Sequence, residues 1–245
     1  PSPHVFHVIT PEDNFGRGFF MSHVDGEALG RKIVRDEQFA GVRPKLARQA
    51  GEILARIHAI DPSTVPALPR ITPREEIETM FENYRRWSEP RPVFELAFRW
   101  AKERMPDESA TPRLVHGDFR NGNMLITPQG ISAVLDWELA HIGDPMRDLG
   151  WICTASWRFS VIDKPVGGFG QREDLMAGYE AAGGGRVDPE VLKFWELIGS
   201  VRWGVMCIGM GHRAKQSDRP VELSMIGRRT SENEIDLMRL LAPRG

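Results

Sequence analysis

The sequence predicts an α+β fold in which a largely helical body carries small β-hairpins. Proline and capping signals open segments of helical length between residues 44 and 105 and again after residue 172. Short apolar runs flank turn residues in two other regions, 5–24 and 114–135, and predict strands there. The 245 residues suffice for one large domain or two small ones with a buried core.

The first half of the chain predicts one hairpin and three helices. The strands cover residues 5–10 and 18–24, because the segment between them is rich in Pro, Asp, Asn and Gly. In the first helix, five apolar residues share one face: Leu46, Ala50, Ile53, Leu54 and Ile57. A capping box that begins at Thr72, with proline in the first turn, starts the second helix. The three helices are predicted at residues 44–60, 72–87 and 92–105.

The second half predicts short strands and then helices. A Pro-Gln-Gly turn at residues 128–130 joins two of the strands. Asp144 and Pro145 form a cap-then-proline helix start. The glycine-rich segment 167–170 predicts a mobile loop. Strands are predicted at 114–115, 124–127 and 131–135, and helices at 144–151, 172–182, 189–213 and in a last segment that ends near Leu241.

Composition excludes several classes of protein. Lys and Arg total 32 against 34 Asp and Glu, which is not the basic surplus of a nucleic-acid-binding protein. Cys153 and Cys207 are too few for a disulfide framework and favour a reduced, cytoplasmic setting. Residues 1–10 lack the cationic and apolar parts of a signal peptide, and no apolar stretch has membrane-spanning length. We therefore expect neither a nucleic-acid nor a membrane partner.

One polar motif carries the chemistry. It runs from His116 through Asp118 to Asn123 and resumes after a predicted hairpin at Asp136. A kinase catalytic loop needs a carboxylate to accept the proton of the substrate hydroxyl, and Asp118 fits this role. An amide oxygen five residues later and a second carboxylate after the hairpin are suited to hold Mg²⁺ on nucleotide phosphates, which fits Asn123 and Asp136. The ordered set predicts phosphoryl transfer.

Two other interpretations of these residues are possible. Any single Asp or Asn in the motif could be a turn residue or a helix cap, although the ordered set argues against this. Alternatively, His116, Asp118 and His141 could bind a hydrolytic zinc ion. A zinc site needs three ligands at suitable spacing, and the chain offers no helical His-x-x-x-His pair to support it.

Residues 116–149 resemble the aminoglycoside phosphotransferase and choline kinase superfamily, whose members have a protein-kinase-like fold. The Leu135-Asp136-Trp137-Glu138 and Gly143-Asp144-Pro145 segments are most similar to the branch fused to some acyl-CoA dehydrogenases and to its stand-alone bacterial relatives. The resemblance implies that Asp118 is the catalytic base, that Asn123 and Asp136 bind Mg²⁺, and that Asp148 supports the catalytic loop through hydrogen bonds.

The resemblance also implies a nucleotide site at the segment 20–26, which is similar to the hinge between the two lobes of a kinase. The adenine would meet the backbone carbonyl of Ser22 and the backbone amide of Val24. Leu125 and Leu135 would form the floor of the adenine pocket. The donor would be ATP or GTP. On the residues alone, an ordinary edge strand and turn is the alternative for this segment.

The first lobe departs from the family pattern. The first lysine, Lys32, lies beyond the hinge, and no glycine-rich loop precedes it. We therefore expect residues 1–24 to be the remnant of an N-terminal lobe and residues 25–245 to be the helical C-terminal lobe. A chain without most of the first lobe should show little turnover. The competing hypothesis is a non-catalytic ligand-binding or regulatory domain.

The acceptor is predicted to be a small molecule with a hydroxyl group, but not an aminoglycoside. A polycationic acceptor calls for an acidic pocket, whereas the region after the metal-binding segment mixes cations and indoles. A neutral or anionic compound, such as a hydroxy acid or its thioester, fits this mixture better. Arginines on long helices also cover the edges of a core, so this region could instead be structural. The mixed residues are Trp157, Arg158, Phe159, Arg202, Trp203, Arg213 and Lys215.

Overall fold

The computed structural model describes residues 1–87, 89–107 and 111–242, and nine α-helices make up nearly half of them. The predicted helices are present, and all six with predicted bounds, over 44–60, 72–87, 92–105, 144–151, 172–182 and 189–213, agree within two residues at each end. The first and eighth helices were not predicted. In chain order the helices are α1 (Gly30–Arg35), α2 (Arg43–His58), α3 (Pro73–Arg86), α4 (Pro92–Glu103), α5 (Met146–Cys153), α6 (Arg172–Ala181), α7 (Pro189–Arg213), α8 (Pro220–Gly227) and α9 (Thr230–Leu241).

The strands of the described residues form three separate antiparallel pairs. The first pair joins β1 (Val5–Val8) to β2 (Phe19–Met21). The strands β3 (Arg113–Val115), β4 (Met124–Thr127), β5 (Gly130–Val134) and β6 (His141–Gly143) form the other two. β4 pairs with β5 as a hairpin, and β3 pairs with β6. The sequence predicted all of these strands except β6. These results agree with the α+β class.

Helix starts follow the capping signals in the sequence. The Thr72 side chain accepts a hydrogen bond from the Glu75 amide (3.2 Å), and the Glu75 carboxylate accepts one from the Thr72 amide (2.8 Å). At the start of α7, the Asp188 carboxylate accepts from the Glu190 amide (2.8 Å). Each cap satisfies an amide that the helix itself cannot pair, which is typically worth about 1 kcal/mol.

Two apolar clusters hold the body together. One joins α2, α5 and α6 to the β4–β5 hairpin, and the other joins α3, α4, α7 and α9. α5 and α7 approach so closely that a side-chain carbon at Gly150 would overlap Trp195. Fully buried residues such as Leu54 and Phe94 each contribute roughly 1.5–3 kcal/mol through removal of apolar surface from water. The polar motif of residues 116–136 therefore lies on a well-packed support. No helix in the described ranges is long and apolar enough to cross a bilayer.

The glycine-rich segment 167–170 differs from its prediction, because it is buried rather than loosely placed on the surface. Gly167 and Gly168 have φ of 55° and 76°, and Phe169 is only 4% exposed. A side-chain carbon at Gly168 would overlap the Arg158 carbonyl. The glycines thus allow close packing, a role that composition alone does not distinguish from mobility.

The β1–β2 ribbon stands apart from this packing. All of its residues are exposed, and its large apolar side chains include Phe6 at 66%, Val8 at 65% and Phe19 at 57% exposed. Isolated two-stranded ribbons are marginally stable in water, and contiguous apolar surface of this kind normally packs against something.

Candidate active site

Asp148, on the first turn of α5, organises the catalytic loop. Its Oδ2 accepts a hydrogen bond from the His116 amide (2.8 Å) and its Oδ1 accepts one from the Gly117 amide (2.9 Å). The Nε2 of His58, from α2, lies 3.2 Å from Oδ2. Burial alone would raise the pKa of Asp148, but the hydrogen bond from His58 and nearby positive charge, including Arg147, lower it to about 2. The predicted support of the loop by Asp148 is therefore present.

The backbone at Gly117 is held from both sides and needs glycine. Its φ is 83°, and a side-chain carbon would overlap the Leu139 carbonyl. The Gly117 carbonyl accepts hydrogen bonds from Arg147 (2.9 Å) and Arg202 (3.2 Å). Glu76 in turn accepts two hydrogen bonds from Arg147, at 2.8 and 2.9 Å. Because its amide is bound to Asp148 and its carbonyl to two arginines, the backbone of Gly117 has little freedom to reorient.

His116 connects the catalytic loop to the strand end that carries Asp136. Its Nδ1 lies 3.2 Å from the Asp118 amide, which can only donate, so Nδ1 accepts. The proton of the neutral ring is then on Nε2, which donates to the Leu135 carbonyl (3.0 Å). The imidazole thus fixes the distance between the loop and residue 135.

Three donors orient the carboxylate of Asp118. Trp151 Nε1 donates to Oδ1 at 2.7 Å, and Arg120 Nε donates to the same oxygen at 3.0 Å. Asn123 Nδ2 donates to Oδ2 at 2.6 Å. Asp118 is only 9% exposed, so its carboxylate is largely buried and does not project into solvent.

Asn123 and Asp136 lie on opposite sides of the open end of the β4–β5 hairpin. The Leu135 amide donates to the Asn123 carbonyl (2.8 Å), which places Asp136 next to the same end. Asp136 has φ of 65°, a conformation that costs energy for a residue with a side chain and is concentrated at functional sites. Neither Asn123 Oδ1 nor the Asp136 carboxylate is hydrogen-bonded to another described residue. Both oxygens are therefore available.

This pair of oxygens is compatible with magnesium bound to a nucleotide. Mg²⁺ takes few protein ligands and completes its octahedral shell with phosphate oxygens and water. One amide and one carboxylate oxygen are hard donors of the required kind. The zinc alternative is not supported, because no three His, Cys, Asp or Glu side chains among the described residues are placed to hold a metal. His141 Nδ1 instead lies 2.9 Å from the Leu139 carbonyl.

The segment that resembles a kinase hinge lies against the same hairpin. Glu27 and Ile126 exchange backbone hydrogen bonds at 2.9 and 3.0 Å. A side-chain carbon at Gly26 would lie 2.7 Å from Leu125 Cβ. The Ser22 carbonyl and the Val24 amide make no hydrogen bond within the described chain. Leu125 and Leu135 are both partly buried.

The region expected to hold the acceptor divides into site and structural residues. Trp157 packs against Trp151 and Trp203, with ring centroids 5.1 and 5.0 Å apart. Guanidinium groups lie over these rings: Arg202 is 4.9 Å from the Trp151 centroid and Arg120 is 4.5 Å from the Trp157 centroid. Cations and indoles therefore do lie beside Asp118.

Other arginines of that region serve the fold. Arg158 and Arg172 both form ion pairs with Glu196, which is 1% exposed. Arg213 ends α7, about 16 Å along the helix axis from Arg202 at 1.5 Å per residue, and is remote from Asp118's neighbours. Trp195 is 2% exposed and belongs to the core.

Sequence reasoning missed two contacts of Asp118, those from Trp151 and Arg120. A usable signal existed for Trp151. Residues three apart share a helix face, so Trp151 must point to the same side of α5 as Asp148, toward the catalytic loop. For Arg120 the sequence offered only proximity in the chain.

The fold, a largely helical body with small antiparallel strand pairs, is protein-kinase-like. The family model described as "Phosphotransferase enzyme family" (APH) matches residues 1–186. Because this match spans more than half of the chain, the chain belongs to that family. The resemblance predicted from residues 116–149 is confirmed.

Individual relatives agree with this assignment. The chain is 29% identical to acyl-CoA dehydrogenase family member 10 of Mus musculus over 172 residues. The aligned region covers 63% of this chain and 15% of that protein. The chain thus corresponds to a small part of that relative. A solved structure from Ralstonia eutropha, assigned to the aminoglycoside phosphotransferases, has a TM-score of 0.79 at 21% identity and covers 98% of this chain and 78% of its own. The GDP complex of aminoglycoside 2'-phosphotransferase-IIIa has a TM-score of 0.68 at 18% identity, covering 96% and 76%.

Proposed function

We propose that this chain is the helical lobe of a small-molecule kinase that transfers the γ-phosphoryl group of ATP or GTP to a substrate hydroxyl, with Mg²⁺. The supporting observation is the position of Asp118, which is held by a pinned loop and accepts a hydrogen bond from Asn123 at 2.6 Å. Asn123 and Asp136, whose side-chain oxygens are free, flank the open end of the same hairpin. A structural neighbour is a nucleotide complex, which favours a nucleotide as the donor.

Each residue has a separate role in this proposal. Asp118 accepts the proton of the acceptor hydroxyl as its oxygen attacks the phosphorus, without a covalent enzyme intermediate. Asn123 and Asp136 bind Mg²⁺, which when present neutralises charge on the phosphates. Asp148 and His116 keep the loop and the strand end at a fixed separation. Most of the catalytic effect comes from such positioning.

The nucleotide base is proposed to bind at the hinge. The Ser22 carbonyl and the Val24 amide form one acceptor and one donor without a described partner, and Leu125 lies against Gly26, two residues after Val24. Residues 1–24 then belong to the nucleotide-covering lobe. The exposed apolar side chains of the β1–β2 ribbon support this, because further strands of such a lobe would cover them.

The acceptor is proposed to be a neutral or anionic hydroxyl compound. Arg120 pairs with Asp118 and Arg202 binds the carbonyl of the preceding residue, Gly117, whereas Glu76, on α3, is already paired with Arg147. A polycationic aminoglycoside would meet like charges here. A screen of full-length protein with radiolabelled ATP should therefore detect transfer to hydroxy acids or their thioesters. Efficient phosphorylation of kanamycin-type amines, with hydroxy acids ignored, would overturn the acceptor class.

Two substitutions test the assigned chemistry in the full-length protein. Asp118→Ala should lower kcat by about 10²–10⁴-fold with little change in nucleotide affinity, because a general base acts chiefly in the transition state. Asp136→Ala should lower kcat and also weaken binding of the Mg–nucleotide complex, measured by calorimetry with and without Mg²⁺. Asp163→Ala, at an exposed carboxylate, is the control. Equal and minor effects of the two site substitutions would contradict the roles. Nucleotide binding without transfer by the unmodified protein would instead favour a non-catalytic domain.

A further inference from the structure

The hydrogen bonds of Asp118 are distributed unevenly between its two oxygens. Oδ1 accepts from Trp151 Nε1 at 2.7 Å and from Arg120 Nε at 3.0 Å, whereas Oδ2 accepts only from Asn123 at 2.6 Å. Each carboxylate oxygen has two lone pairs, so Oδ1 is fully used and one lone pair of Oδ2 is left. The hydroxyl of an acceptor can approach this remaining position.

Of the two donors to Oδ1, Trp151 is the more firmly held. It is 4% exposed, and its ring packs against Trp157 on one side and lies under the Arg202 guanidinium. Arg202 is tied to the Gly117 carbonyl, and α5 is tied to the loop through Asp148. The indole N–H thus belongs to the same rigid unit as the loop backbone. Arg120 is more exposed, at 25%.

From this geometry we infer that Trp151 is a positioning residue for phosphoryl transfer. Its indole N–H holds Oδ1 of Asp118, so that the free lone pair of Oδ2 faces the acceptor hydroxyl. The inference rests on the proposed function, because it concerns the base in that reaction. Trp151 transfers no proton itself and contacts no substrate.

Trp195 is a matched comparison for Trp151. Its Nε1 also donates to a buried carboxylate, Asp144 Oδ2, at 3.1 Å. Both residues are almost fully buried, at 4% and 2% exposed. Trp195 lies in the second apolar cluster, and Asp144 caps the start of α5 through the Met146 amide (2.9 Å). Replacing either indole by phenyl removes a similar hydrogen bond and a similar volume, but only one loss reaches Asp118.

The contact itself is tested without any enzyme assay. Nitrogen-15 NMR of the indole groups gives one signal for each of the seven tryptophans, and Trp151→Phe identifies its own. Asp118→Ala should move the Trp151 signal and leave that of Trp195 in place, whereas Asp144→Ala should do the reverse. A Trp151 signal that ignores Asp118→Ala overturns the inference, whether or not the protein is a kinase.

The kinetic test uses the full-length protein with ATP and an acceptor found in the screen. Trp151→Phe should lower kcat about tenfold with a nearly unchanged KM for ATP, because Oδ2 of Asp118 is no longer held toward the acceptor hydroxyl. Trp195→Phe should change kcat by no more than about twofold, which corresponds to less than about 0.5 kcal/mol in the activation free energy.

If Trp151→Phe folds poorly, β-(3-benzothienyl)alanine at position 151 keeps the shape of the indole and replaces only its N–H, and the same tenfold loss is expected. Equal effects of the Trp151 and Trp195 changes would overturn the inference and leave the kinase function intact. If the unmodified protein transfers no phosphoryl group, the proposed function fails, and the positioning role fails with it.

Discussion

Replacing Asp148 with asparagine removes the charge that holds the catalytic loop in place. The pKa of Asp148 is lowered from 3.8 to about 2 in the folded chain, so folding favours its charged form by roughly 2 kcal/mol. Asparagine also cannot accept from all three donors, and one unpaired buried donor costs about 1–3 kcal/mol. We expect a loss of about 3–5 kcal/mol and a Tm lower by roughly 6–20 °C.

The stabilisation that the charge of Asp148 provides depends on pH. A carboxylate with a depressed folded pKa stabilises the protein above its unfolded pKa, and this contribution is lost as the pH falls through the folded value. The difference in stability between the unmodified chain and Asp148→Asn should therefore be constant from pH 5 to 8. It should begin to narrow below about pH 4. Thermal and urea unfolding followed by circular dichroism measure it directly.

Asp144 is the control, because burial raises its pKa, an effect partly offset by hydrogen bonds from Met146 and Trp195. Folding thus disfavours the charge at Asp144, and Asp144→Asn should cost clearly less than Asp148→Asn at pH 7. The two side chains are both buried and only four residues apart. If Asp148→Asn destabilises no more than Asp144→Asn, or if its effect is independent of pH down to pH 3, the role of Asp148 is wrong.

Two further predictions concern the loop and the thiols. Gly117→Ala places a side chain on left-handed backbone, against the Leu139 carbonyl. It should lower the free energy of unfolding by about 1–3 kcal/mol. Gly183 also has positive φ but open space around it, so Gly183→Ala should cost less. An equal cost at both positions would show that contact with Leu139 is unimportant. Burial raises the pKa of both Cys153 and Cys207 to about 12, so neither should react with Ellman's reagent at pH 8 until the protein is unfolded. Rapid reaction of the native chain would contradict their burial.

Local signals in the sequence were sufficient for the long helices. The capping box at Thr72 gave a helix start that the structure reproduces, since it depends on neighbours within one turn. Elements without such signals were missed. Helix α1 has no capping side chain and only six residues, and β6 has three residues whose partner strand, β3, lies more than twenty residues earlier. The pairing of β6 with β3 is non-local, so no periodic pattern in the sequence indicates it.

In the candidate site, too, the order of residues along the chain predicted some features, whereas contacts between distant residues were missed. The order of Asp118, Asn123 and Asp136 along the chain was enough to predict their roles, which remain proposals. The Asp148 support followed from the family resemblance. The Glu196 pairs with Arg158 and Arg172 and the indole bond from Trp151 to Asp118 were not predicted, because they join residues more than twenty positions apart that meet only after packing. Burial of the 167–170 segment was missed for the same reason.

The structure of the full-length protein with Mg²⁺ and a non-hydrolysable ATP analogue tests the central claim most directly. The proposal predicts Asn123 Oδ1 and an Asp136 oxygen at about 2.0–2.1 Å from the ion, with Asp118 Oδ2 facing the γ-phosphate but not bound to the metal. A cation held elsewhere, or Asn123 and Asp136 pointing away from each other with the nucleotide bound, would contradict it.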